Sequence, residues 1–123
     1  MKIDLFCPSR ERINKVLTFI CSIITTAKDI NNINLVLGID DDDPKLDHYL
    51  KIAQNLDFIQ VVRYPEGLIE KIGLCGLWNV MAEQTTNEII AMVGDDMKFE
   101  TPDWDEKILK EFSNKEDNFY LIH

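Results

Sequence analysis

The chain has 123 residues, 46% hydrophobic and 28% charged, with a formal net charge of −9. That length suits one domain able to bury roughly two thirds of its unfolded surface. The acidity argues against nucleic acid or an anionic membrane as the main partner, because both require a basic face.

Strand-like and helix-like segments alternate along the chain. Ile3 to Cys7 reads as a strand closed by Pro8, and Ile13, Val16, Leu17, Ile20, Ile23 and Ile24 then recur at helical spacing. Asn34 to Ile39 is a second apolar run. Asp43-Pro44 follows it as a helix cap with proline at the first helical position, and Leu46, Tyr49, Leu50, Ala53 and Leu56 stripe the helix. Phe58 to Val62 is a third strand with Pro65-Glu66-Gly67 as its loop, and Leu74, Leu77, Trp78 and Met81 mark a third helix. Glu88 to Val93 is a fourth strand. Thr101-Pro102 repeats the cap device before Trp104, Ile108 and Phe112, and Phe119 to Ile122 reads as a fifth strand.

This order predicts a three-layer α/β/α, Rossmann-like single domain with a mostly parallel sheet covered on both faces. Loops carrying Pro8-Ser9-Arg10, Asp40-Asp41-Asp42-Asp43 and Gly94-Asp95-Asp96 are then expected along one sheet edge, where ligands of open α/β sheets bind. The apolar run Ile89 to Val93 ends there in two adjacent carboxylates. Hard oxygen ligands suit Mg²⁺ or Mn²⁺, which are commonly held by one or two carboxylates plus substrate phosphates. Asp95 and Asp96 therefore read either as metal ligands for a diphosphate-bearing substrate or as an acidic turn.

The other edge residues also carry two readings each. Asp42 and Asp43 read as a solvated loop with Asp43 capping a helix, whereas Asp40 and Asp41 leave a strand directly and suit a base N–H or ribose hydroxyl. Ser9 is a candidate cap. Arg10, Arg12 and Lys71 read as phosphate contacts or as ordinary exposed cations. His48 and His123 lack ligand spacing. The glycine-rich dinucleotide loop, the Walker A motif and the G-x-S-x-G elbow are all absent. Cys7, Cys21 and Cys75 form no C-x-x-C pair and read as buried reduced thiols, and no signal peptide or membrane-length apolar run is seen, so a cytoplasmic location is expected.

Taken in order, the motifs resemble the GT-A glycosyltransferases, especially the family 2-like group of nucleotide-diphospho-sugar transferases. Pro8-Ser9-Arg10 stands where that group has a P-[ST]-R loop, Asp40-Asp41 where it has D-D, and Gly94-Asp95-Asp96 where it has a D-x-D-like metal motif. Leu77-Trp78-Asn79-Val80-Met81-Ala82 resembles its L-N-x-A helix. The resemblance implies a nucleotide-diphosphate sugar donor, with Asp41 and its neighbour Asp40 at the base, and Asp96 on a divalent metal, Mn²⁺ or Mg²⁺. Asp95 would support metal or ribose, with Pro8, Ser9, Arg10 and Lys71 as further donor contacts. It covers residues 1–123 as a donor-binding half, so the acceptor, the catalytic base and the stereochemistry stay unassigned. Two further readings stand beside a transferase: a non-catalytic nucleotide-sugar-binding module and a nucleotidyltransferase. An apolar terminal strand at Phe119 to Ile122 would also favour a homo-oligomer.

Overall fold

The apolar runs assemble into a parallel sheet in a computed structural model that describes residues 2–65, 68–83 and 89–113. Its elements are β1 (Ile3–Ser9), α1 (Ile13–Thr26), a 3-10 turn (Ile30–Asn32), β2 (Ile33–Asp40), α2 (Leu46–Asn55), β3 (Ile59–Tyr64), α3 (Leu68–Glu83), β4 (Ile89–Met92) and α4 (Trp104–Ser113). The strand order is β3-β2-β1-β4, and every described pairing is parallel. The expected fifth strand, and with it the oligomer contact placed there, lies outside the described residues.

Strand alternation divides the core in two. Ile3, Leu5 and Cys7 of β1 face Val16, Phe19, Ile20 and Ile23 of α1, with Tyr49 of α2 and Trp104 of α4 in the same cluster. Phe6, Val36 and Tyr64 point to the other face, where Leu68, Ile72 and Val80 of α3 pack. The register agrees: Leu5 lies opposite Leu35 and Ala91, and Phe6 opposite Val36 and Met92. A period-2 strand must send its odd and even residues to opposite helical layers, so the three-layer expectation holds.

Several local expectations need correction. Leu17 and Ile24 are exposed, because the buried stripe of α1 runs through Val16, Phe19, Ile20 and Ile23 and leaves their neighbours about 100° away. Cys21 lies on the exposed side of that helix, whereas Cys7 is buried. Both expected proline starts fall two residues early: turns at Pro44 and Pro102 precede helices that begin at Leu46 and Trp104. β1 runs through Pro8 to Ser9. Phe6 turns its carbonyl to Val93 on the β4 side, so Pro8, two residues on, presents its missing N–H beyond the last β1–β4 pair. α3 breaks at Gly73, whose φ of 73° no β-carbon residue adopts cheaply. The side chains of Leu74, Leu77, Trp78, Met81 and Phe112 lie outside the description.

Candidate functional site

Parallel pairing brings the carboxyl ends of all four strands to one edge, and the chain order reverses between β1 and β4. Such a switch point leaves a crevice between diverging loops. Here Ser9 from β1 and Asp95 after β4 meet across it, with Ser9 Oγ donating to Asp95 Oδ2 at 2.9 Å. Ser9 is thus not a helix cap. Its single proton is committed to the carboxylate, so the 2.8 Å contact with Tyr49 requires the tyrosine hydroxyl to donate to Ser9 Oγ. Burial raises the Tyr49 pKa, which keeps that proton in place. Arg12 N–H in turn donates to Tyr49 OH at 3.1 Å. A continuous relay therefore runs from the start of α1 through Tyr49 and Ser9 to Asp95.

The acidic loop after β2 is not uniformly solvated. Asp43 is buried, its Oδ2 accepting from Glu11 N–H at 2.9 Å and its Oδ1 from Lys45 N–H at 2.8 Å. It staples the loop after β1 to the entrance of α2, and Glu11 tolerates a φ of 52° within that staple. Arg10 spans the gap, giving Nη1 to Asp40 Oδ2 at 3.1 Å and a two-pronged contact to Asp42 at 2.9 and 3.2 Å. That pairing holds the Asp42 carboxyl below its ordinary range.

Asp40 and Asp41 differ sharply. Asp41 is exposed and accepts from Arg63 Nε at 2.9 Å. Asp40 is buried at the end of β2, beside Tyr64 in register, and its Oδ1 has no hydrogen-bond donor among the described residues. Burial raises its pKa despite Arg10, which pulls the other way. Tyr64 OH is a second buried atom without a partner among the described residues, and burial pushes its pKa up to about 12. Native proteins leave few buried polar atoms unpaired, so an orphan acceptor at the carboxyl edge, where ligands of open α/β sheets bind, is a candidate recognition group.

On the β4 side, Gly94 and Met97 close a tight turn through Met97 N–H to the Gly94 carbonyl at 3.2 Å. Asp96 is exposed on it, and its Oδ1 folds back to within 2.9 Å of where a β-carbon on residue 94 would sit. A glycine at that place makes room for the carboxylate. Two clefts flank the turn. One of about 350 Å³ is lined by Pro8, Ser9, Arg10, Glu11, Arg12 and Asp95. The other, about 330 Å³, is bordered by Asp96, Met97 and Lys98 facing Asn14, Lys15 and Thr18 of α1. Lys71 is exposed on α3, in the helical layer opposite α1, α2 and α4.

The fit to a divalent cation is a matter of available oxygens. Both Asp95 oxygens are engaged, by Ser9 and by Arg12 Nη1 at 3.3 Å, while Asp96 remains open. Among the described residues no three His, Cys, Asp or Glu side chains form a cage. One open carboxylate with a second beside it suits an ion that completes its shell with phosphate and water, as Mg²⁺ does.

Sequence reasoning missed Tyr49 and Asp43 as site-building residues. Tyr49 was hidden in an apolar helical stripe, and only its hydroxyl distinguished it from Phe. Cys7, beneath the edge, is an inert thiol: burial first, then Asp95 and Asp96, push its pKa up to about 12.

No protein-family model and no curated protein matches the sequence. Solved structures do match. Residues 1–349 of S. aureus TarS superpose with a TM-score of 0.70 at 14% identity, covering 92% of this chain and 32% of that one. The same protein in complex with UDP-GlcNAc gives 0.68 at 13% identity over 92% and 31%. In complex with UDP it gives 0.66 at 14% identity over 92% and 32%. No described helix is long and apolar enough to cross a membrane. The chain therefore shares the α/β fold of TarS, the fold type expected from its motifs, as a unit spanning 32% of that neighbour's length.

Proposed function

We propose that the chain is the donor-binding unit of a metal-dependent glycosyltransferase, which binds a nucleotide-diphosphate sugar for transfer to an acceptor hydroxyl. The observation that carries this reading is Asp40 Oδ1, a buried acceptor at the carboxyl edge of the sheet without a donor among the described residues. A nucleobase N–H supplies what it lacks. Asp40, rather than the exposed Asp41, takes the base in this reading. UDP and UDP-GlcNAc complexes of a protein with the same fold support a uridine nucleotide as the first ligand to try.

Across the switch point, the diphosphate would lie in the cleft between the loop after β1 and Asp95. Asp96 would hold Mn²⁺ or Mg²⁺, with Asp95 alongside. The bound ion supplies Lewis-acid neutralisation of the departing diphosphate. Ser9 and Tyr49 orient Asp95, and Gly94 leaves Asp96 its position. In an acidic chain such neutralisation matters: at about 4 Å two like charges repel by roughly 4 kcal/mol at an effective dielectric near 20.

Calorimetric titration of UDP-, GDP- and CDP-sugars with and without Mn²⁺ tests the reading. One nucleotide class should bind. Asp40→Asn should weaken nucleoside and nucleotide alike, because the amide turns one acceptor into a donor, and Asp96→Asn should remove only the Mn²⁺-dependent part. Absence of binding by every donor in both conditions contradicts the proposal.

A further inference from the structure

Arg12 is anchored by its backbone and loosely held by its side chain. Its N–H bonds Tyr49 OH at 3.1 Å, and its carbonyl accepts Val16 N–H at 3.0 Å in the first turn of α1. Among the described residues the guanidinium makes one polar contact, Nη1 to Asp95 Oδ1 at 3.3 Å, with 54% of the side chain exposed against 9% for Asp95. Arg10, the other cation in the cleft, is tied by three shorter bonds to Asp40 and Asp42. A long, half-exposed ion pair contributes little, whereas charge-assisted bonds from a guanidinium to phosphate are among the strongest polar contacts. Among the described residues, Asp95 is the one hydrogen-bond partner of the Arg12 guanidinium, so most of its five N–H donors are free to meet a ligand.

We propose that Arg12 is an exchangeable counter-ion, which neutralises Asp95 in the free protein and transfers to a diphosphate oxygen when the donor binds. The proposal rests on the donor reading above. The exchange has a second consequence. When Arg12 leaves, Asp95 keeps the Ser9 bond on Oδ2 but regains Oδ1, so an open carboxylate oxygen appears beside Asp96. Diphosphate and divalent cation are thereby linked through one side chain, and the linkage is reciprocal.

Arg12→Gln separates this role from a structural one, because the two ligands should respond in opposite directions. UDP alone, in metal-free buffer, should bind about tenfold more weakly, as expected for a lost charge-assisted contact. Mn²⁺ alone should bind more tightly than to wild type, since Asp95 Oδ1 is no longer occupied. Uridine affinity should be unchanged. Arg12→Lys should retain most UDP affinity, and circular dichroism checks that both variants fold. Equal weakening of UDP and Mn²⁺, or UDP binding indistinguishable from wild type, overturns the proposal while leaving donor binding intact. Failure of wild type to bind UDP, GDP or CDP, with or without Mn²⁺, overturns both.

Discussion

At the scale of single residues, the site is built from carboxylates that look alike in sequence and differ in what they touch. Asp41 meets Arg63 in solvent, Asp43 is consumed by two backbone N–H groups, and Asp40 keeps one oxygen unpaired. None of this is legible from a run of four acids. Apart from Lys45, their partners lie 22 to 32 positions away, on segments that only the topology brings together. Gly94 gives the sharpest test at this scale. Its backbone is not in the left-handed region, so alanine is conformationally allowed, but the new methyl group meets Asp96 Oδ1 at 2.9 Å. The exposed carboxylate can swing aside cheaply. Gly94→Ala should therefore change thermal stability by less than about 1 kcal/mol while weakening Mn²⁺-dependent donor binding, measured by melting and by calorimetry. Unchanged Mn²⁺ dependence would show that the folded-back position of Asp96 is immaterial.

At the scale of elements, strands and helices were legible because period-2 and period-3.6 patterns survive in the sequence. Helix starts were not. Asp43 looks like a cap preceding Pro44, yet its carboxylate is drawn across to Glu11 and a turn intervenes before Leu46. The docking of α4 was equally hidden. Asp105 is fully buried, accepting Lys28 N–H at 2.8 Å, Asp29 N–H at 3.0 Å and Asn32 Nδ2 at 3.1 Å, while Trp104 Nε1 donates to Thr26 Oγ1 at 2.8 Å. Phe99 stacks on Trp104 with ring centroids 3.9 Å apart and also on Phe19, so the end of α1 and the start of α4 form one unit. Burial pushes the Asp105 pKa up, but the backbone and Asn32 hydrogen bonds outweigh it and leave the folded value below the ordinary one. The sign follows: the stabilisation is complete above the unfolded pKa of about 4 and is lost as pH falls through the folded value. Asp105→Asn should flatten the acid limb of the stability curve, and Asp105→Ala should cost about 3 kcal/mol at neutral pH by stranding three donors. Denaturant melts from neutral to acidic pH check both, and an unaltered acid limb in Asp105→Asn would exclude the latch as its source.

At the scale of the whole molecule, a mostly parallel sheet was implied by alternation and right-handed crossovers, and the placement of three motif-bearing loops on one edge followed from it, whereas the strand order β3-β2-β1-β4 emerges only from the structure. What the sequence could not show is that this edge is already charge-paired: Arg10, Arg12 and Arg63 each meet a candidate ligand-binding acid. A chain with a net charge of −9 thus presents a cleft whose local charge is far milder than its composition. The central claim is that the carboxyl edge at the switch point receives a nucleoside diphosphate. Amide chemical-shift mapping during titration with UDP and Mg²⁺ tests it most directly. The account predicts shifts concentrated at Ser9 to Arg12, Asp40 to Asp41 and Gly94 to Asp96, with Asp4, Ile33 and Ile89 at the opposite edge unmoved. Shifts centred on that opposite edge, or none at saturating UDP, would contradict it.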